Sequence, residues 1–315
     1  TAPSTLDVTF GGEVDAAVVL IAVGSGAGGS SVAVDGDDST ATANTTYVGY
    51  GGDGSLTVSG GGTYMNHGNL HVAFLAGSKS SVLVSGVGSL LQVDNGGDMN
   101  VGVDGAGIVT VEDTGFIKVD GTLAVGDGSS LKIQSNGHVI ADTLEKTATA
   151  TVNPTYDSSV YVNQLVGFGN APSFAGDLGF GHVGGSGSGS HAIGAGQSLT
   201  VGRSLFVGID APAMLSVTDG GSLHVMEDLI ISRIDGDGTF TASGAGTTVM
   251  ADTNFIVGNY PGVDADAEVS DGAALTGTQG IVGSQGTGTM IVTDATTTWT
   301  LSGYLYVGVS DGSDG

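Results

Sequence analysis

Acidic side chains are the chemistry-bearing residues that recur along this chain, and they recur at fixed places. After successive Val-Gly pairs stand Asp53, Asp104, Asp127, Asp210, Asp235, Asp237, Asp264, Asp266 and Asp311. A second set, Asp94, Asp113, Asp219, Asp271 and Asp294, follows the next apolar segment. If copies of such a chain stack, each set becomes a ladder with neighbours about 5 Å apart, where like charges repel. Hard, oxygen-seeking Ca²⁺ would relieve that repulsion, and the loops holding Asp235, Asp237, Asp264 and Asp266 offer carboxylates and carbonyls for it. No EF-hand pattern with its terminal Glu occurs, and Asp-Gly also makes good tight turns without any ion. Calcium is thus the one cofactor the sequence suggests.

No catalytic set is nominated. The basic residues, Lys79, Lys118, Lys132, Lys146, Arg203 and Arg233, fall on different copies of the pattern. A lyase cleaving an acidic sugar would want several together, and a net charge of −26 would repel that substrate. For a neutral glycan, paired carboxylates would suffice, but the repeated Asp residues single out no pair. A polysaccharide-active enzyme therefore ranks last among the functional expectations. Of the histidines, His67, His71, His138, His182, His191 and His224, only His67 and His71 approach a metal-ligand spacing. No G-x-S-x-G nucleophile elbow occurs. The Gly/Ser run at 184–190 has neither the Lys nor the following helix of a phosphate-binding loop, and reads as a flexible loop.

The elements that would position these residues come from a repeat. One copy reads Tyr47-Val48-Gly49, then Gly54-Ser55-Leu56-Thr57-Val58-Ser59-Gly60-Gly61, ending Gly68-Asn69-Leu70. Another reads Phe206-Val207-Gly208, then Leu215-Ser216-Val217-Thr218-Asp219-Gly220-Gly221-Ser222-Leu223, ending Asp228-Leu229. A third runs from Asn100-Val101-Gly102 through Val109-Thr110-Val111 to Gly121-Thr122-Leu123. The apolar clusters are short and alternate with period two, as strands do, and no Gly-free window carries a helical period. Three short strands cannot bury their apolar face alone. Stacking consecutive copies, each strand parallel to its equivalent in the next, closes one core. The predicted fold is all-β, a right-handed parallel β-helix of about a dozen rungs with roughly 25 residues each. A propeller blade needs longer strands, and a calcium-binding nonapeptide roll a shorter period.

Composition agrees. Of 315 residues 59 are Gly, with no three-residue period, so the chain turns often without being collagen. Apolar residues make up 40%, too many for a disordered chain. With 6 Lys+Arg against 32 Asp+Glu, nucleic acid and anionic membrane surfaces are poor partners. The same acidity would keep a secreted surface soluble. There is no Cys for disulfides or thiolate sites, and no stretch of 18 apolar residues to span a bilayer as a helix.

The pattern V-G-x-x-G-x-G-x-L-x-V-S-x-G-G-x-L, over most of 21–143 and 179–315, resembles the repeats of bacterial autotransporter (type V secretion) passenger domains and of PEP-CTERM-associated surface proteins. The resemblance implies a β-helix placed outside the cell or at its surface. It consists of scaffold residues and implies no activity.

One solenoid domain is predicted, with rungs over 1–143 and 181–315 and an irregular excursion over 144–180. No Val-Gly rung start appears between Asp142 and Val166-Gly167, and Glu145, Lys146, Pro154, Tyr156 and Tyr161 stand there instead. Loops off a rigid scaffold are where binding tends to sit. The ends look like halves of one rung. Leu6-Asp7-Val8 with Gly11-Gly12 lacks the opening Val-Gly that Tyr306-Val307-Gly308 supplies, and joined tail to head they make a rung of 31 residues (7 from Gly308 to the end, 24 to Gly24). Leu6, Val8, Tyr306 and Val307 are therefore expected at assembly ends, stacking end to end or continuing in a longer parent chain. The functional expectation is a structural rod of an extracellular surface, matrix or filament protein. Its alternative is an adhesin binding a glycan or host protein.

Overall fold

The computed structural model describes residues 3–25, 29–182 and 188–309. They form strands joined by turns, with no helix among the described residues. Two compact units divide the chain, Thr1–Val160 with Leu165–Phe168, and Tyr161–Gln164 with Gly169–Gly315.

A rung of the first unit shows why the sequence folds this way. Its three strands are Gly54–Ser59, Thr63–Asn66 and Leu70–Val72. The next rung repeats them as Lys79–Ser85, Leu90–Val93 and Met99–Val101. Like pairs with like, in parallel: Leu56 with Val82, Tyr64 with Leu91, and Leu70 with Met99. The alternate residues Leu56, Val58, Leu91, Val93, Leu70 and Val72 are completely buried. Their columns run on through Val109, Ile117 and Leu123. Each fully buried Val or Leu contributes about 1.5–3 kcal/mol. Seven first-position strands, from Thr5–Thr9 to Thr151–Pro154, form one parallel sheet in this unit.

The second unit is built alike. Its five-stranded parallel sheet runs from Gly189–Ile193 to Thr287–Val292. Leu215 pairs with Phe240, Leu223 with Val249, and Leu229 with Phe255, in the same three columns. The parallel β-helix predicted from the repeat is thus the observed fold.

Two turns recur. The Val-Gly glycine ends the third strand in the left-handed region, at φ +76° in Gly49 and +78° in Gly208, where a residue with a Cβ is strained. Ala22, Ala73 and Ser232 hold the same corner with φ of 54°, 56° and 66°. The second turn carries two left-handed residues in succession. Asp219-Gly220 and Asp271-Gly272 are examples, and short polar side chains tolerate that conformation.

Residues 144–180, predicted to leave the repeat, keep strands. Thr151–Pro154 pairs with Ser130–Ile133, and Leu144 sits under Leu123 with no exposure. Further on, Ser173 and Phe174 pair with Thr200 and Val201. The missing Val-Gly has a local cause. Lys146 is in register with Val125, and Thr147 stands where the glycine would be. The Lys146 ammonium escapes the core by donating to the Thr147 and Ala150 carbonyls at 3.0 and 3.1 Å. Of the Gly/Ser run at 184–190, residues 184–187 lie outside the described residues, while Gly189 and Ser190 begin a strand.

Candidate functional site

Of the four acids expected to hold calcium, Asp237 acts on the backbone. Asp237 Oδ1 accepts the Asp264 N–H at 3.0 Å, tying the start of one rung's first strand to the loop of the rung before. Asp53 does the same for the Lys79 N–H at 2.7 Å. Asp266 is a strand residue, paired with Thr239 and Thr289 and directed outward between the buried Ala265 and Ala267. Its expected place in a turn is corrected by the alternation of that strand. Asp235 is exposed and donates its own N–H to the Ile209 carbonyl. Asp113, Asp219, Asp271 and Asp294 are left-handed turn residues. Asp311 lies outside the described residues. Among the described residues no three His, Cys, Asp or Glu side chains come together as a metal site would require.

His67 and His71 do not converge. His67 Nδ1 lies 2.8 Å from Asp94, whereas the His71 ring stacks on Tyr47. Two further histidines reach an Asp about one rung away, His182 with Asp210 at 2.9 Å and His224 with Asp252 at 3.0 Å.

Two of the six basic residues, Arg203 and Arg233, act on one carboxyl, that of Asp177. Arg203 lies between Asp177 and Glu227, at 3.6 and 3.7 Å. Arg233 places its guanidinium 4.0 Å over the Phe206 ring and donates to the Tyr161 hydroxyl at 3.0 Å. Burial raises the Asp177 carboxyl above its ordinary range, against the Ser204 N–H it accepts and the pull of both arginines. The rung spacing could have located this cluster, since Arg203 and Glu227 stand about one copy apart.

The terminal rungs differ from the interior in one respect. Val307 pairs with Val282, which pairs in the same column with Val257. Their exposures are 59%, 5% and 0%. Leu305 is likewise 52% exposed in a column where Phe255 is fully buried. With Met290, Val292 and Trp299 these side chains line an open concavity of about 560 Å³. A smaller one of about 280 Å³ lies at the first rung of the other unit, lined by Leu6, Val19, Leu20 and Val32. Of the four residues expected at assembly ends, Leu6 and Val307 open onto these mouths. Val8 is already buried against its own unit, and Tyr306 belongs to the outward column of Phe206, Ile230, Ile256 and Ile281.

No known family, curated protein or solved structure matches this chain. No helix of the described residues is long and apolar enough to cross a membrane.

Proposed function

We propose that this protein is a structural solenoid of an extracellular surface, matrix or filament assembly, and that its open end rungs receive further rungs of the same kind. The observation that carries this reading is the exposure of Val307 and Leu305 in columns that the interior rungs bury. A stacked rung would cover those side chains and pair with edge strands such as Thr5–Thr9 and Thr287–Val292. Likeness of the repeat to autotransporter and PEP-CTERM-associated proteins supports the placement outside the cell. Those rungs would come from a second copy or from the continuation of a longer parent chain. Calcium, if it acts, would bridge the outward carboxylates between rungs without entering the core.

Sedimentation velocity over a wide concentration range tests the assembly. End-to-end growth is expected to strengthen with salt, because each copy carries −26 and screening removes the repulsion between copies. Val307→Lys is expected to abolish it. A monomer at every concentration and ionic strength would overturn the reading.

A further inference from the structure

On the outside of the first unit, two successive rungs gather four aromatic rings. Tyr47 and His71 share one register position, each immediately before the buried Val of its third strand. Tyr50 and Phe74 lie in the loops that follow, with the Phe74 N–H donating to the Gly49 carbonyl of the previous rung. Tyr47 stacks on His71 with centroids 4.9 Å apart and planes 23° apart. Tyr50 stacks on Phe74 at 5.4 Å and 18°. The two pairs meet nearly edge to face, Tyr47 against Phe74 at 4.9 Å and 79°. None of the four is fully buried. In the corresponding loops Val23, Leu75 and Val103 are exposed, and the Leu75 N–H donates to the Tyr50 carbonyl. Gly51 lets the loops approach closely, since a Cβ there would stand 2.6 Å from the Val23 carbonyl and 3.8 Å from Leu75 Cδ1.

The polar groups of this cluster are few. His71 Nδ1 is shielded from solvent and has no hydrogen-bond partner. Burial favours the neutral imidazole against the field of nearby Asp98. Asp104 is tied to Phe74 through its backbone N–H.

We propose that this cluster is a binding platform for a neutral glycan, laid against Tyr47, Tyr50, Phe74 and Leu75. A pyranose presents C–H groups that suit the negative face of an aromatic ring. Charge narrows the occupant. With −26 on the chain, acidic sugars, acidic peptides and the flank of a second copy are repelled, whereas an uncharged polyol is not. The rings are also packed on one another, so little side-chain freedom remains to be lost on binding. Its rings belong to the second and third rungs, one step in from the end rung that carries Leu20.

Calorimetric titration of the full chain with cellohexaose, laminarihexaose, mannohexaose and chitohexaose tests it, with hexagalacturonate as the acidic comparison. At least one neutral saccharide is expected to bind in the millimolar range or tighter. Tyr47→Ala is expected to weaken that binding about tenfold. Because Tyr47 also packs within its unit, Leu75→Asp on the exposed rim provides a second variant, with the same loss expected. Ile281→Ala, at the corresponding outward position of the other unit, is expected to leave binding unchanged. The proposal is overturned if no neutral saccharide binds, if hexagalacturonate binds as well as the neutral chains, or if neither variant weakens binding. Failure of all the saccharides would point to a protein partner instead. End-to-end assembly is read separately by sedimentation, so either proposal can fail alone.

Discussion

One register position, the outward residue before the third strand's last buried side chain, has opposite fates in the two units. In the first it holds Leu20, Tyr47, His71, Asn100, Ala124 and Glu145, with the ring-bearing members partly buried. In the second its members Phe206, Ile230 and Ile256 are at most 8% exposed, while Ile281 is partly buried and Tyr306 on the last rung is open. The loop residue Ile209 joins them in a small apolar cluster, with Tyr161 and Ile281 packed against it and Arg233 over Phe206. The same scaffold thus builds a second, outer core in one unit and a solvent-facing platform in the other. A column that stacks identical positions multiplies whatever residue type it carries.

Substitutions can break this contrast. Phe206→Ala is expected to cost about 3–5 kcal/mol by emptying the outer core, against about 1 kcal/mol for Tyr47→Ala, read by denaturant unfolding with hydrogen exchange assigning the loss to its unit. If the two cost the same, the outer core is no more a core than the platform is.

Gly208→Ala in the second unit is expected to cost about 1–2 kcal/mol, because φ is +78° and the new Cβ would stand 2.5 Å from the Asp237 carbonyl. In the first unit Ala73 already occupies that corner at +56°. Ala73→Gly is the converse experiment, with a smaller gain of about 0.5–1 kcal/mol in thermal stability.

Titration sharpens the contrast further. Tyr64, inside the first unit, has its phenol pushed up to about 12 by burial, against the lowering effect of its Thr46 hydrogen bond. The fold therefore holds the neutral phenol, and its contribution is complete below the unfolded value near 10 and lost as pH rises from there towards 12. Tyr64→Phe is expected to remove that part of the alkaline slope, at a cost of about 1 kcal/mol at neutral pH for the lost hydrogen bond. On the acid side, burial lowers His71 in the first unit and His191, stacked on Phe180, in the second. Both fold as neutral imidazoles, so their contribution is full above about 6.5 and declines as pH falls below it. His71→Phe should flatten the acid slope of the first unit only. This is the smallest of the expected effects.

Much of this was legible in the sequence because the repeat encodes local chemistry. Gly49 and Gly208 mark left-handed corners, and Leu56, Val58, Leu215 and Val217 alternate as inward residues must. Lys146-Thr147 hid a rung because it replaces Val-Gly with residues that reach the same backbone path through a lysine bonded to loop carbonyls. The function of Asp237 was hidden for another reason. A carboxylate that caps a backbone N–H one rung away and one that waits for a cation have the same sequence signature. The meeting of Tyr47, Tyr50, His71 and Phe74 depends on loop paths that bring residues 24 apart into stacking, and no motif announces it.

The buried contacts of Tyr64 also bear on how a repetitive chain finds its pairing. Neighbouring rungs are so alike that a strand could pair one rung out of step at little apolar cost. Thr46 Oγ1 lies 2.7 Å from the Tyr64 hydroxyl and donates to Asn66 Oδ1 at 2.7 Å, while the Asn66 amide donates to the Gly68 carbonyl at 2.6 Å. A slipped alignment would set Asn66 and Thr46 among leucines and valines with those bonds unmade. This polar inclusion serves as an index mark, a numbered tread in a ladder of interchangeable steps.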